Sequence, residues 1–297
     1  MESRLKIIAC IPAYNEERTI ASVVVKTMRY VNEVIVCDDG SGDLTGEIAR
    51  RLGAEVVRHE RNMGYGAALS TLFNKAREVK ADIMVVLDAD GQHNPDDIPR
   101  LLKPIIDGEA DIVIGSRFIG GLKGEIPAYR KLGIKAITRL VKTMTYNDLT
   151  DAQSGFRAYN KRAIEVIKVS ESGMGASTEI LIKAKERDLR VVEVPINIRY
   201  DEDSSTQNPI SHGVDVVLST LKYVSINRPL LFYGLPGFIL LLIALFFWIW
   251  TLQTFVATRQ IITNVALIAV AASAIGSILL TTAIILWVLI SIVKERT

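Results

Sequence analysis

The sequence predicts an α/β protein whose parallel, Rossmann-like sheet carries helices on both faces, followed by a C-terminal hairpin of two membrane-spanning helices. Three observations predict it. Short apolar runs alternate with segments of helical period through the first 120 residues, the pattern of βαβ units. All but four of the 68 Asp, Glu, Lys and Arg side chains fall in the first 228 residues. Beyond them lie two uncharged runs, 229–258 and 260–293, each longer than the roughly 20 apolar residues that cross a bilayer.

Strands are expected at 6–11, 33–37, 54–58, 83–87 and 112–114, apolar runs bounded by turn-forming residues. Helices are expected between them at 16–30, 43–52, 65–79 and 95–106, the third entered through the loop Asn62-Met63-Gly64-Tyr65-Gly66. Residues 128–146 carry Arg130, Lys131, Lys135, Arg139 and Lys142 and no acid. At 100° per residue four of these cations cluster opposite Ala136, Ile137, Leu140, Val141 and Met144. Beside two membrane spans, this basic amphipathic helix reads as a membrane-surface element rather than an ordinary solvated face.

A second amphipathic segment, with Ile210, Val214, Val217, Leu218 and Leu221 on one side, leads into the first span and is expected at the interface. The domain plan is therefore a head at 1–208, an interfacial helix at 209–228 and a hairpin at 229–297, with spans near 230–252 and 266–292. Lys222 and Arg228 precede the first span, Lys294 and Arg296 follow the second, and Arg259 alone sits between. The positive-inside rule then places the head and both termini on the cytoplasmic side of the cell membrane. Trp248, Trp250 and Trp287 read as interfacial anchors.

Acidic and basic residues balance in the first 228 positions, so no cationic field argues for a nucleic-acid partner. The chain shows no N-terminal signal peptide, and Cys10 and Cys37 read as small buried hydrophobes in a reducing compartment rather than as a disulfide. His59, His93 and His212 are too dispersed for a zinc site.

Chemistry concentrates at three strand ends. Asp88, Asp90 and Gln92 follow the apolar run that ends at Leu87, and oxygen ligands on alternate residues suit Mg2+ or Mn2+. Asp38-Asp39-Gly40-Ser41 closes the second strand, either holding a ribose or base by carboxylate hydrogen bonds or forming an Asx turn with Asp43 capping the next helix. Ile11-Pro12-Ala13-Tyr14-Asn15-Glu16 closes the first. Carboxyl ends of parallel strands are where such sheets bind ligands, so the three ends define one crevice. His93 approaches the metal or diphosphate, or else is a loop histidine bonded to backbone.

Residues 11–16, 38–41, the Asn62-x-Gly64-x-Gly66 loop, 88–92 and Gly115-Ser116-Arg117 together resemble glycosyltransferase family 2, whose catalytic domain has the GT-A fold. Ser116-Arg117, Tyr129-Arg130, Asp151-Ala152-Gln153-Ser154-Gly155-Phe156-Arg157, Ile198-Arg199-Tyr200 and the hairpin further resemble the branch of dolichyl-phosphate mannose synthase and related polyprenyl-phosphate sugar synthases. The resemblance implies that Pro12, Ala13, Tyr14, Glu16 and Asp39 contact the nucleotide sugar. It places Asp38, Asn62, Gly64, Asp88, Ser154 and Glu179 with them in the substrate site. Asp88, Asp90 and Gln92 would hold Mg2+ or Mn2+, and Arg117, Arg130 and Arg199 would join Asp90 as catalytic residues on the lipid-phosphate side.

The implied reaction is inverting transfer of a hexose from GDP-mannose, UDP-glucose or UDP-N-acetylglucosamine to dolichyl or polyprenyl phosphate, giving a lipid-linked donor for glycosylation. Gln153-Ser154-Gly155-Phe156-Arg157 is nearer to glucosyl and acetylglucosaminyl members than to mannosyl ones, so the sugar stays open. One rival is a membrane transferase acting on a sugar hydroxyl in polysaccharide or glycolipid synthesis. It needs a carboxylate base, for which Glu179 is a candidate unless that residue merely caps its helix. The Gln-x-x-Arg-Trp signature of processive synthases is absent. A second rival is a non-catalytic membrane protein that binds nucleotide sugar.

Overall fold

The computed structural model describes residues 5–119, 149–173, 175–197, 225 and 229–295. The basic segment with Arg130, the segment with Arg199, and all of the expected interfacial helix except Ser225 lie outside the described residues. The chain divides into two compact units, Met1–Ser219 and Thr220–Thr297.

In the first unit, seven strands form one sheet: β1 (Ile7–Ala13), β2 (Glu33–Asp38), β3 (Glu55–Arg58), β4 (Ile83–Val86), β5 (Ile112–Ser116), β6 (Arg157–Asn160) and β7 (Val191–Pro195). Their order is β3-β2-β1-β4-β6-β5-β7, with every neighbouring pair parallel except those of β6, which runs antiparallel to β4 and β5. The chain steps outward from β1 through β2 to β3, then returns to the other side of β1 as β4. Loops leaving the carboxyl ends of β1 and β4 therefore part in opposite directions, and the crevice between them is the topological switch point.

The helices are α1 (Ile20–Thr27), α2 (Thr45–Arg51), α3 (Tyr65–Glu78), α4 (Ile98–Ile106, entered through the 3-10 turn Pro95–Asp97), α5 (Lys161–Val166) and α6 (Ala176–Glu186). Successive strand residues feed opposite cores. Ile8, Cys10, Ile35 and Met84 pack with Leu72, Phe73 and Leu181 on one face, while Ala9, Ile11, Val36 and Val85 pack with Ile20, Val24 and Leu101 on the other. Burial on both faces is why these strands read as continuous apolar runs rather than as alternation.

The first helix is shorter than its periodicity predicts, starting at Ile20 and ending at Thr27. Asn15 adopts a left-handed φ of 55°, and the N–H groups of Glu16 and Glu17 donate to Thr45 Oγ1 and Asp43 Oδ2 in the neighbouring loop. Side chains from the next βα loop thus hold the residues that the pattern assigns to a helical turn. Strands β6 and β7 and helices α5 and α6 are additions to the sequence expectation. β6 is four residues long and includes Arg157 and Asn160, so it carries no strand signature of its own.

The second unit opens with a π-helical turn, Leu230–Gly234, and continues as α7 (Leu235–Thr258) and α8 (Thr263–Glu295). The two pack where side chains vanish: a β-carbon on Gly237 would lie 3.0 Å from the Gly276 carbonyl oxygen, and one on Gly276 would lie 3.0 Å from that of Gly237. Arg259 ends α7 in a left-handed conformation, φ 58°, its N–H bonded to Phe255 O. Hydroxyls of Thr251, Thr254, Ser273 and Ser291 donate to carbonyls four residues back, so apolar surroundings leave none of them unpaired. Trp248 lies well inside α7, not near its end, and its Nε1 donates to Ser273 Oγ on α8. It ties α7 to α8 through this bond.

Candidate active site

The end of β4 supplies the chemistry. Asp88 follows Leu87, and its Oδ1 is buried without a hydrogen-bond partner. Burial pushes the Asp88 carboxyl up to about 6, against the opposing pull of Arg117, Arg157 and a hydrogen bond from Tyr65. Gly155 faces it: a β-carbon there would lie 2.7 Å from Asp88 Oδ2 and 3.0 Å from the Tyr65 hydroxyl. Asp90 Oδ1 accepts from Gln92 N at 2.9 Å across Gly91, whose φ of 75° suits glycine. His93 is buried and stacks on Phe156, and its Nδ1 accepts from Asp88 N at 3.2 Å. That is the backbone-bonded alternative of the two read from sequence. Burial lowers its pKa to about 4.

Glu16 looks into the same crevice from β1. Burial raises its carboxyl to about 7, the Thr19 hydroxyl opposes this, and the charges of Asp90, Asp43 and Asp88 raise it further. Pro12 and Ala13 sit inside β1, with Ala13 level with Asp38 of β2, and Tyr14 stands exposed beyond them. The β1 and β2 loops are stitched reciprocally: Asn15 N donates to Ser41 Oγ, and Gly42 N donates to Asn15 Oδ1.

The two aspartates that close β2 do different work. Asp38 is fully buried, its Oδ1 accepting from Ser41 N while Oδ2 lies 3.4 Å from Arg58 Nη1. Asp43 accepts from Thr45 N, the turn arrangement expected at this loop. Asp39 accepts from Met63 N and Gly64 N and lies 2.6 Å from His59 Nδ1, which fixes the glycine loop to the end of β2. Asn62 is exposed on that loop. Gly64, φ 99°, has Ser172 O 2.5 Å from where its β-carbon would be, and Gly66 N donates to the same Ser172 oxygen at 2.8 Å. The lack of side chains here admits a backbone strap, residues 170–173, against the start of α3.

Glu179 holds that strap. Its carboxylate accepts from Ser170 N and Glu171 N and pairs with Lys183, so it is neither a free base nor a cap of its own helix. Arg117 forms a two-pronged pair with Asp151, Nε–Oδ2 2.6 Å and Nη2–Oδ1 2.7 Å, and keeps only 16% of its side chain exposed. Glu193 fixes the backbone of Asp151. Arg157, missed as a site residue from sequence, is buried with its guanidinium donating to the carbonyls of Ala152, Ser154 and Ser177. Ser154 Oγ is buried and unpartnered. Tyr65 and His59 were likewise not distinguishable by sequence as parts of the crevice, since neither stands within the acidic motifs that each touches.

The profile of Glycosyl transferase family 2 matches residues 8–168, which takes in β1 through β6 and both acidic strand ends. The chain belongs to glycosyltransferase family 2. It is 36% identical over 229 residues to a UDP-N-acetylglucosamine–dolichyl-phosphate N-acetylglucosaminyltransferase of Methanococcus voltae, covering 70% of this chain and 89% of that one. It is 34% identical over 221 residues to an undecaprenyl-phosphate mannosyltransferase of Micrococcus luteus, covering 71% and 89%. Among solved structures it is similar to glucosyl-3-phosphoglycerate synthase from Mycobacterium tuberculosis in complex with Mn2+ and UDP-glucose, with a TM-score of 0.60 and 24% identity over 74% of this chain and 78% of that one. This likeness shows the fold, a GT-A domain. The family 2 chain is thus a glycosyltransferase whose GT-A domain is followed in sequence by two long apolar helices.

Proposed function

We propose that the chain transfers a hexose from a uridine or guanosine diphosphate sugar to a polyprenyl phosphate at a membrane surface, with inversion and with a divalent cation. The observation that carries this reading is the buried, unpartnered Oδ1 of Asp88 opposite the bare Gly155. A buried carboxylate oxygen without a partner is costly unless a group such as a cation completes it, and Asp90 and Gln92 add oxygen donors at the same strand end. Mg2+ or Mn2+ held there would offset the charge that develops on the leaving diphosphate.

The protein's own part is to bind and orient. Pro12, Ala13, Tyr14 and Glu16 line the nucleotide side with Asp39. The acceptor is a phosphate monoester whose second pKa is about 6, so it arrives as the anion and needs no general base. One of its oxygens attacks the anomeric carbon as the bond to the diphosphate breaks on the opposite face, giving inversion. Arg117, Arg130 and Arg199 serve this phosphate in our reading, since guanidinium forks suit its oxygens and bring two anions together. Glu179 is a poor base for a hydroxyl acceptor because Ser170 N, Glu171 N and Lys183 already occupy its oxygens.

The acceptor's tail explains the hairpin. A polyprenyl chain leaves the bilayer at a cost of about 0.8 kcal/mol per methylene, so the site must work at the membrane. In the most apolar 18-residue stretch of each of the segments Leu230–Thr258 and Thr263–Ile292, only 17% and 11% of the residues are buried, which fits lipid-facing spans better than core helices. In this plan the head is 1–208, an interfacial helix 209–228, and both termini are cytoplasmic.

The test is turnover by the purified full chain, with polyprenyl phosphate and each of GDP-mannose, UDP-glucose and UDP-N-acetylglucosamine in turn. Product whose anomeric configuration is inverted by NMR, and which needs Mg2+ or Mn2+ and disappears in Asp90→Ala, supports the reading. Full activity of Asp90→Ala in EDTA, or retention of configuration, sinks it.

A further inference from the structure

The glycine loop, β2, β3 and α3 meet at one imidazole. His59, the first residue after β3, lies with Nδ1 2.6 Å from Asp39 Oδ1 and Nε2 2.9 Å from Thr71 Oγ1 on α3, with Cys37 Sγ 3.6 Å from the same Nε2. A carboxylate only accepts, so Nδ1 carries the hydrogen and the Thr71 hydroxyl is left to satisfy Nε2. The ring is nearly enclosed, with 10% of its side chain exposed.

A carboxylate offers about four lone-pair positions. At Asp39, Oδ1 receives His59 Nδ1 and Met63 N, and Oδ2 receives Gly64 N. Three positions are filled by donors that also fix the plane of the group. One acceptor position remains, on Oδ2, and its direction is set by the other three.

We propose that His59 is a positioning residue of the nucleotide pocket: it locks Asp39 as a rigid acceptor with one open lone pair, which selects a nucleobase presenting a ring N–H. Uracil N3–H and guanine N1–H meet that requirement. Cytosine N3 and adenine N1 are bare acceptors and would oppose lone pair to lone pair. The inference rests on the reading of Asp39 as a nucleotide contact and adds what orients it and what base it excludes.

The experiment compares His59→Phe, which keeps ring volume without a donor, His59→Asn, whose amide N–H replaces Nδ1–H, and Asp39→Asn in the full chain. Binding of UDP, GDP, CDP and ADP is measured by calorimetry, and KM and kcat for the nucleotide sugar and the lipid phosphate by initial rates. His59→Phe should weaken the preferred nucleotide about tenfold, the loss of one hydrogen bond to a charged group, and narrow its margin over CDP and ADP. The lipid-phosphate KM should stay unchanged, and His59→Asn should recover most of the affinity. Weakened binding in Asp39→Asn with wild-type affinity and base preference in His59→Phe would overturn the proposal alone. Unchanged binding in Asp39→Asn would overturn the reading beneath it as well. If His59→Phe does not fold, His59→Leu takes its place, since it likewise removes the donor to Asp39, and the same two outcomes decide.

Discussion

Gly155 faces Asp88 so closely that any β-carbon on it would lie 2.7 Å from Oδ2 and 2.9 Å from Oδ1 of the carboxylate. If Asp88 holds the cation as proposed, a side chain at 155 would crowd the carboxylate that binds it. Gly155→Ala should cut turnover at least tenfold and weaken Mn2+ binding, measured by electron paramagnetic resonance on the purified chain, while the melting temperature falls by only a few degrees. Normal Mn2+ binding in this variant would show that the cradle is not the cation's site.

Tyr65 opens α3, yet its hydroxyl reaches across to Asp88. Removing it deletes one charge-assisted hydrogen bond and little volume. Tyr65→Phe should raise the metal concentration for half-maximal activity severalfold and leave the rate at saturating metal within about threefold of wild type. An unchanged metal requirement would place the hydroxyl outside the site's function.

Asp151 is fully buried, and Arg117 is its paired cation. Arg117→Ala leaves that carboxylate uncompensated and should destabilise the head by about 3–5 kcal/mol. Combining it with Asp151→Asn should restore part of the loss, because the buried charge goes with its partner. Strict additivity in thermal or urea unfolding would mean the pair contributes nothing as a pair. If the arginine also serves the acceptor, the double variant regains stability without regaining use of the lipid.

Both thiols are buried in adjacent strands, and burial pushes Cys37 up to about 12 and Cys10 well above its usual range. The thiolate is the reactive form, so iodoacetamide at pH 8 should label neither residue in the folded chain and both on unfolding in denaturant. Rapid labelling of Cys37 under native conditions would show that the end of β2 opens.

The five expected strands and four expected helices all occur, with boundaries shifted by a few residues; β1, β2, β4 and β5 bury nearly all their side chains, as their apolar composition reports, while the edge strand β3 is only partly buried. Strands covered on both faces must be apolar throughout, and two uncharged runs of this length have few places to go but a bilayer. Strand ends at Asp38–Asp39 and Asp88–Asp90 were legible for the same reason: carboxylates that break off an apolar run stand out.

What the sequence did not disclose depends on partners far along the chain. β6 is a strand only because β4 and β5 flank it, and Arg157 is tolerable inside the protein because the carbonyls of Ala152 and Ser154 just before it are joined by that of Ser177 on α6 around its guanidinium. Nothing in Asn-x-Gly-x-Gly says that the glycines receive the Ser172 strap, or that Glu179, a hundred residues on, holds it. The sequence by itself determined which segments are apolar enough to form the sheet, its two cores and the long C-terminal helices, and which acids lie at strand ends. Only the tertiary structure decided which of those acids have both oxygens satisfied within the protein, as Asp39 does, and which keep a buried oxygen without a hydrogen-bond partner, as Asp38 does at Oδ2 and Asp88 at Oδ1. Hydropathy is a property of each residue taken alone, whereas the satisfaction of a buried polar atom is a property of whatever the fold brings within about 3 Å of it.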